Sequence, residues 1–362
     1  MKTKKILEVC LSPSLGGLEM FVASCYEYFS QHANCYIAVE EGSKLDCFLE
    51  IDECFYIKRN KLFPIIPALK LARYIDQYAI DIIHFHWNRD SITVVLAKLL
   101  SKRKPKIIQS RHMGMTRFKD DIFHRFIYKN IDMIHAVTKE VAMQLKKFIP
   151  QDIIPNIQTV YLGVKSKEPN EQKIRLLRNK YKLENEFVIG IVGRIEESKG
   201  QYKVIEALGM LKDIDAKLFV VGAPMHDDYL KKLHSKVHSL GLDEKVIFTG
   251  FTKDVIEYMA LFDINILATD HETFGLVVIE AMLLGTPVIA TAKGGPLEII
   301  EEGMDGLLFD GSSSDLAEKI SLLYEDKTLY KKIQEQGIRK VKNKFNKSKQ
   351  LKELYNAITQ VY

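Results

Sequence analysis

Four charged residues stand where strand-like runs give way to helical ones: Arg194 and Lys199 in "VGRIEESKG", Glu272 and Glu280 in "DHETFGLVVIEAMLLGTPVIAT". Two cations five positions apart, with Gly193 and Gly200 letting backbone come close, suit a diphosphate. Glu280 lies in the run Leu276 to Leu284, whose other members are nearly all apolar. A buried carboxylate without a partner is costly, and it can only accept hydrogen bonds. Its donors would be the paired hydroxyls of a sugar or a neighbouring Lys or Arg, and spacing leaves both open. Phe274, Gly275 and Leu276 open the same helix, so their backbone N–H groups and the positive end of the helix dipole form a second anion-binding feature.

The first half carries weaker signals. "SPSLGGLEMFV" sets Gly16 and Gly17 between a first strand and a first helix without forming GxGxxG; Glu19 suits the first helical turn electrostatically. "IIQSRHMGM" puts Arg111 and His112 just past a strand, and a lone histidine there reads first as structural. In "HFHWNRD", His84 and His86 share one strand face as metal ligands would, but no partner set is recognisable elsewhere in the sequence, so no metal is expected. "DID" at Asp213 to Asp215 falls in a turn between a helix and a strand.

Short apolar runs alternate with amphipathic stretches along the whole chain, the pattern of βα units building parallel sheets. Strands are predicted at Lys5–Leu11, Cys35–Val39, Cys54–Ile57, Asp81–Phe85, Lys106–Ser110 and Met133–Ala136 in the first half. The second half is predicted to have strands at Phe187–Gly193, Leu218–Gly222, Val246–Thr249, Ile264–Leu267, Pro287–Ala290 and Gly306–Phe309. Helices are predicted between them, among them Gly17–Ser30, Ile65–Tyr78 and Ser91–Leu100. The polar stretch Gly163 to Lys173 reads as the linker. The division is therefore residues 1–165, residues 166–345, and a last helix over 346–362 with an apolar stripe at Leu351, Leu354, Tyr355 and Ile358 that returns to the first domain. Ligands on doubly wound sheets bind beyond the carboxyl ends of the strands, where the residues above lie.

At 362 residues and 47% hydrophobic content the chain has enough material for two cores. Its five cysteines, all between Cys10 and Cys54, are odd in number and never spaced CxxC, which argues against a disulfide framework or zinc site and for buried thiols in a reducing compartment. Glu8 breaks the first apolar run, so the opening segment reads as a strand and not a signal peptide. No stretch reaches the roughly 18 apolar residues of a membrane span. A cytoplasmic location follows, with any membrane contact peripheral, at the inner face of the plasma membrane. Charge is uneven: 24 Lys+Arg against 17 Asp+Glu through Lys165, then 28 against 30. The basic stretch Lys98 to Lys106, with Lys58, Arg59 and Lys61, suits either a solvated helix end or an anionic surface. Nucleic acid is not expected, because no aromatic platform is interleaved with the basic residues.

The segment "ETFGLVVIEAMLLGTPVIAT", with "VGRIEESKG" before it and "GGPLEII" and "GMDGLLF" after it, resembles the retaining glycosyltransferases of sequence family four, in order and over nearly the whole chain. That resemblance implies the GT-B fold, two Rossmann-like α/β domains facing each other across a cleft, the first on the acceptor side and the second binding a nucleotide sugar. It implies that Arg194 and Lys199 neutralise the donor diphosphate, Glu280 holds the ribose diol, Glu272 sits by the transferred sugar, and the backbone of Phe274, Gly275 and Leu276 touches sugar and phosphate. Gly294 and Gly295 would form a turn near the donor, and Gly16 and Gly17 would line the cleft. His112 would contact the donor sugar or acceptor, with Arg111 beside it. The catalytic set is thus His112, Glu272, Arg194 and Lys199, with no metal or other cofactor. The acceptor would be a glycan or a glycolipid such as a lipopolysaccharide core; the amphipathic stretch Lys61 to Ile75 reads first as a packed helix, and it also suits a lipid. "VYLGV" at Val160 departs from the family's commoner Asn-Gly-Val. An epimerase of the same shape, or a sugar-nucleotide-binding protein without turnover, are the competing readings.

Overall fold

The computed structural model describes residues 4–49, 51, 54–60 and 63–361. Lys61 of the expected basic patch, where the amphipathic stretch also begins, lies outside them. The chain falls into two compact units, one formed by residues up to Leu162 together with those from Ser348 onward, the other by Gly163–Lys347.

In the first unit β1 (Lys5–Cys10), β2 (Asn34–Val39), β3 (Phe55–Tyr56), β4 (Ile82–Phe85), β5 (Lys106–Arg111), β6 (Met133–Ala136) and β7 (Asn156–Thr159) form one sheet, ordered β3-β2-β1-β4-β5-β6-β7 with every pairing parallel. In the second, β8 (Phe187–Val192), β9 (Ala216–Val221), β10 (Val246–Gly250), β11 (Ile264–Leu267), β12 (Val288–Thr291) and β13 (Leu307–Phe309) are ordered β10-β9-β8-β11-β12-β13, again all parallel. Helices on both faces bury these sheets, which is why their central strands read as unbroken apolar runs. The order reverses once in each unit, between β1 and β4 and between β8 and β11. Those switch points leave a crevice beyond the strand ends.

Two of the expected strands, Met133–Ala136 and Ile264–Leu267, and the helices Gly17–Ser30, Ile65–Tyr78 and Ser91–Leu100 occupy the spans read from the sequence. One strand escaped: β7, "NIQT", is an edge strand paired only with β6 and only half-buried, so it carries no apolar run. The linker is shorter than the polar stretch suggested. Asn170 caps a helix over Glu171–Lys180, its side chain accepting from the N–H groups of Gln172 and Lys173, so a polar sequence became a helix start. Just before it, the Val164 N–H donates to Phe345 O at 2.9 Å and Lys347 N–H to Val164 O at 3.0 Å. The two points where the chain passes between units therefore lie side by side.

The last helix, Lys347–Thr359, buries Leu351, Leu354, Ala357 and Ile358 against Ile6, Phe29, Ile82 and Met133 of the first unit. The thiol reading needs correction: Cys10 and Cys25 are buried, but Cys35 and Cys54 are half-buried and Cys47 is exposed. Cys47 sits on a short surface helix, Lys44–Leu49, that buries only Leu45. The basic stretch after residue 97 is largely engaged: Lys98 and Lys106 both pair with Asp132, and Arg103 with Asp81.

Candidate functional site

At the switch point of the second unit, the loop after β8 carries Arg194, then a 3-10 turn over Glu197–Lys199. Gly200 follows at φ 71°, and a Cβ there would sit 2.2 Å from the Ala268 carbonyl oxygen, so this position requires glycine on two counts. Gln201 fixes the loop by donating from Nε2 to the Arg194 carbonyl at 2.9 Å. The Arg194 guanidinium is 63% exposed, with Glu196 at 3.3 Å as its ion-pair partner. The loop after β11 brings Glu272 to Lys199, 3.2 Å from Oε2 to Nζ. A ligand phosphate arriving at Lys199 would therefore exchange with a carboxylate already in place.

Behind this pair lies a second ionic group that sequence reasoning missed. Asp270 joins Lys203 at 2.8 Å and Lys293 at 2.9 Å, and these hydrogen bonds hold its carboxyl below the usual range. The Lys203 side chain is 7% exposed, so the group braces three loop bases from inside. Its signal was available as Lys203, at the start of the helix after β8, and Lys293, after β12, but lysines are common at such positions.

Phe274 is buried and Gly275, at φ 100°, begins the helix Leu276–Leu284 with no side-chain cap. Its first N–H groups are thus left for a ligand. Gly295 donates to the Glu272 carbonyl at 2.9 Å, tying the turn at Gly294 to the loop. Glu280 corrects the expectation of burial: Val278, Ile279, Ala281 and Met282 turn into the core while Glu280 is exposed on the opposite side. Among the described residues its carboxylate has no hydrogen bond or ion pair. Desolvation by surrounding protein nonetheless pushes its pKa up, with Lys167 opposing.

In the first unit the structure shows what His84 of β4 and His86, just past it, do. The Glu8 carboxylate of β1 takes His84 Nδ1 at 2.9 Å on one oxygen and His86 Nε2 at 2.7 Å on the other. His84 Nε2 meets Ser110 Oγ at 2.8 Å, Ser110 meets His135 Nδ1 at 2.6 Å, and His135 Nε2 reaches the Val160 carbonyl at 2.8 Å. This buried row crosses four neighbouring strands, β1, β4, β5 and β6. Burial pushes His86 down to about 4 and His135 to about 3, keeping the imidazoles neutral. Burial alone would raise the Glu8 carboxyl; His84 and His86 outweigh it and hold it below its usual value. The sequence offered no partner set for the histidines, yet Glu8, Cys25, His84 and His86 bring one ligand atom each within 4.8 Å of one another. Both oxygens of Glu8 are engaged by the histidines, which accounts for the cluster as a hydrogen-bonded layer. The available signal was Glu8 itself, a charge inside an otherwise apolar strand.

His112 lies past the end of β5, edge-on to Phe21 at 5.1 Å and stacked on His86 at 5.8 Å. Its Nε2 has no hydrogen-bond partner among the described residues, and burial, with the neighbouring histidines and Arg111, pushes its pKa well down. It faces a cavity of about 1170 Å³ shared with Ser12, Glu19, His86, Trp87 and Arg111. Gly16 and Gly17 are not among the residues lining it. The Gly16 N–H is already given to Glu19 Oε2 at 2.8 Å, so Glu19 serves the first helical turn and Gly16 has no free donor.

Residues 128–340 match the family described as Glycosyl transferases group 1, and residues 15–167 the family Glycosyltransferase Family 4. N-acetyl-alpha-D-glucosaminyl L-malate synthase of Bacillus anthracis is 26% identical over 78% of this chain and 75% of its own. The capsular polysaccharide biosynthesis glycosyltransferase CapM of Staphylococcus aureus is 30% identical over 72% of each chain. The crystal structure of Anabaena HepE in complex with UDP-glucose superposes with a TM-score of 0.85 at 21% identity, covering 98% of this chain and 99% of that one.

Proposed function

This chain belongs to the group 1 glycosyl transferases and has the GT-B fold, and from that premise we propose that it moves a sugar from a nucleoside diphosphate sugar to an acceptor hydroxyl with retention of anomeric configuration. The observation that carries the donor assignment is Glu280: an exposed carboxylate with no hydrogen bond or ion pair among the described residues, on a helix with an uncapped N-terminus that follows the loop tied to Lys199 by Glu272. An acceptor-only group in that position suits the two hydroxyls of a ribose, while the cations and helix end suit its diphosphate. The UDP-glucose named for the Anabaena structure supports the same donor class.

In this reading the bond from the anomeric carbon to the diphosphate oxygen breaks as the acceptor oxygen attacks from the same face. The acceptor proton passes to the leaving oxygen, and Arg194, Lys199 and the helix N-terminus stabilise the charge that develops there. Glu272, released from Lys199 when phosphate arrives, is free to accept from hydroxyls of the sugar. His112, kept neutral by its surroundings, offers a hydrogen bond without carrying a charge of its own. No metal is needed for the diphosphate, because two cations and the helix end already face it. A glycan or glycolipid acceptor of the cell surface agrees with the name of the Staphylococcus aureus relative. Peripheral contact with an anionic membrane agrees with the exposed apolar side chains Phe118, Ile122 and Phe123 beside Arg117 and Lys119. No helix among the described residues is long and apolar enough to cross a membrane.

The test is a screen of nucleoside diphosphate sugars, reading diphosphate release with and without membrane extract and assigning the product anomer by NMR. Arg194→Ala and Glu280→Ala are expected to weaken donor binding by about ten- to a hundred-fold, the worth of one or two charge-assisted hydrogen bonds. Unchanged donor binding in both variants, or release from no donor, would sink the assignment; an inverted product would remove retention alone.

A further inference from the structure

The cavity before His112 has a feature that donor binding does not use. Its floor at Trp87 carries two guanidiniums, Arg59 at 4.6 Å and Arg89 at 5.4 Å from the ring centroid. Arg111 lines the same cavity, and its donors go to Asn88 Oδ1 and the carbonyls of Met113 and Gly114. Among the described residues none of the three arginines forms an ion pair. The carboxylates of the lining are Glu19, held by Ser12 and Gly16, and Glu40. Beneath Arg59, the fully buried Asp90 takes the Leu11 N–H at 2.9 Å, and burial pushes its carboxyl up to about 7, which weakens its counter-charge at neutral pH. Two of the lining residues also keep buried nitrogens, His86 Nδ1 and His112 Nε2, that have no hydrogen-bond partner among the described residues.

We propose that this cavity binds the acceptor through a phosphate ester, clamped by Arg59 and Arg89 over Trp87, with the acceptor's sugar toward His86 and His112. Cation–π attraction to the indole holds each guanidinium near the ring while leaving N–H donors for a ligand. Two forks of donors exceed what one carboxylate's two oxygens accept, and a phosphate presents three. The phosphate belongs either to a lipid-linked glycan or to a soluble sugar phosphate. A second cavity, of about 330 Å³, shares Arg59, Asn60, Asn88 and Arg89 with the first and opens onto Phe123 and Tyr128. Ile122 beside it is 89% exposed, so a chain attached to the phosphate has an apolar exit. The site rests on the transfer reading only in naming its ligand an acceptor.

Trp87 is the single tryptophan of the chain, so its fluorescence reports this site alone. The full-length protein is titrated with farnesyl phosphate below its micellar concentration, with N-acetylglucosamine 1-phosphate and with uncharged N-acetylglucosamine, each repeated by calorimetry. A saturable response to at least one phosphate and none to the uncharged sugar is expected. Arg59→Ala and Arg89→Ala should each raise the dissociation constant about tenfold with an unchanged melting temperature, while Lys199→Ala leaves it as in wild type. Tighter binding of farnesyl phosphate identifies a lipid, and of the sugar phosphate a soluble ester; either supports the site. No saturable response to either phosphate, equal binding of the uncharged sugar, or an unchanged constant in the Arg59→Ala/Arg89→Ala double variant overturns it. Phosphate binding without turnover of any donor would remove the transfer reading and leave this site standing, and turnover without phosphate binding would do the reverse.

Discussion

At Gly295 the backbone torsions are ordinary, φ −53° and ψ −40°, so any residue could adopt them. Space is what excludes a side chain: a Cβ would lie 2.2 Å from the Phe274 carbonyl oxygen. Backbone cannot yield as a flexible side chain can, so the loop that leads to Gly275 would have to move. Gly295→Ala is expected to cost about 1 to 3 kcal/mol of stability and to weaken nucleotide-sugar binding, measured by thermal unfolding and calorimetry. Donor affinity equal to wild type would separate this loop from the donor site. The same scale decides Glu280. Its apolar neighbours suggested burial, yet within a helix those neighbours point elsewhere, and the carboxylate is exposed with no hydrogen bond or ion pair among the described residues.

The elements that matter are the inner strands. Across β1, β4, β5 and β6, Glu8, His84, His86, Ser110 and His135 form one layer of hydrogen bonds inside an apolar sheet. Its titration has a definite sign. His86 and His135 have folded pKa values near 4 and 3, below the ordinary 6.5, so the unfolded chain binds more protons between those limits. Their contribution is fully present above about pH 6.5 and is lost as pH falls toward 4, on the order of 3 kcal/mol for His86 alone. Asp90, raised to about 7, has the opposite slope, but it is one group against His86, His135 and the likewise lowered His112. The first unit should therefore unfold more readily at pH 4.5 than at pH 7.5. Trp87 fluorescence in a urea titration reads this, and a midpoint independent of pH would mean the imidazoles are not buried neutral.

Over the whole molecule, the first unit is assembled from both ends of the chain. Its core includes Leu351, Leu354, Ala357 and Ile358, which arrive only after the second unit is complete in sequence. Leu354 is 1% exposed, and Leu354→Ala should destabilise the first unit by about 2 to 5 kcal/mol. The Trp87 transition should move to lower urea while nucleotide-sugar binding, which we propose for the second unit, persists where the protein is still folded. An unmoved Trp87 transition would show that the last helix does not complete this core.

Periodicity and composition sufficed for the βα alternation and most of the elements, because apolar runs of strand length and helical stripes reflect burial on both faces of parallel sheets. The motif "ETFGLVVIEAM" with Arg194 and Lys199 pointed to the loops after β8 and β11, which the structure joins through the Lys199–Glu272 ion pair, since the signal depends on residue type and on position after a strand. The sequence failed where partners are distant in the chain. Glu8 meets His84 and His86, Asp270 meets Lys203 and Lys293, and Arg59 meets Trp87, only because parallel strands and loops from separate βα units end side by side. Edge strand β7 was illegible for lack of burial. The exposure of Glu280 was likewise decided by the turn of its helix against the core, a property of packing that no count of apolar neighbours contains.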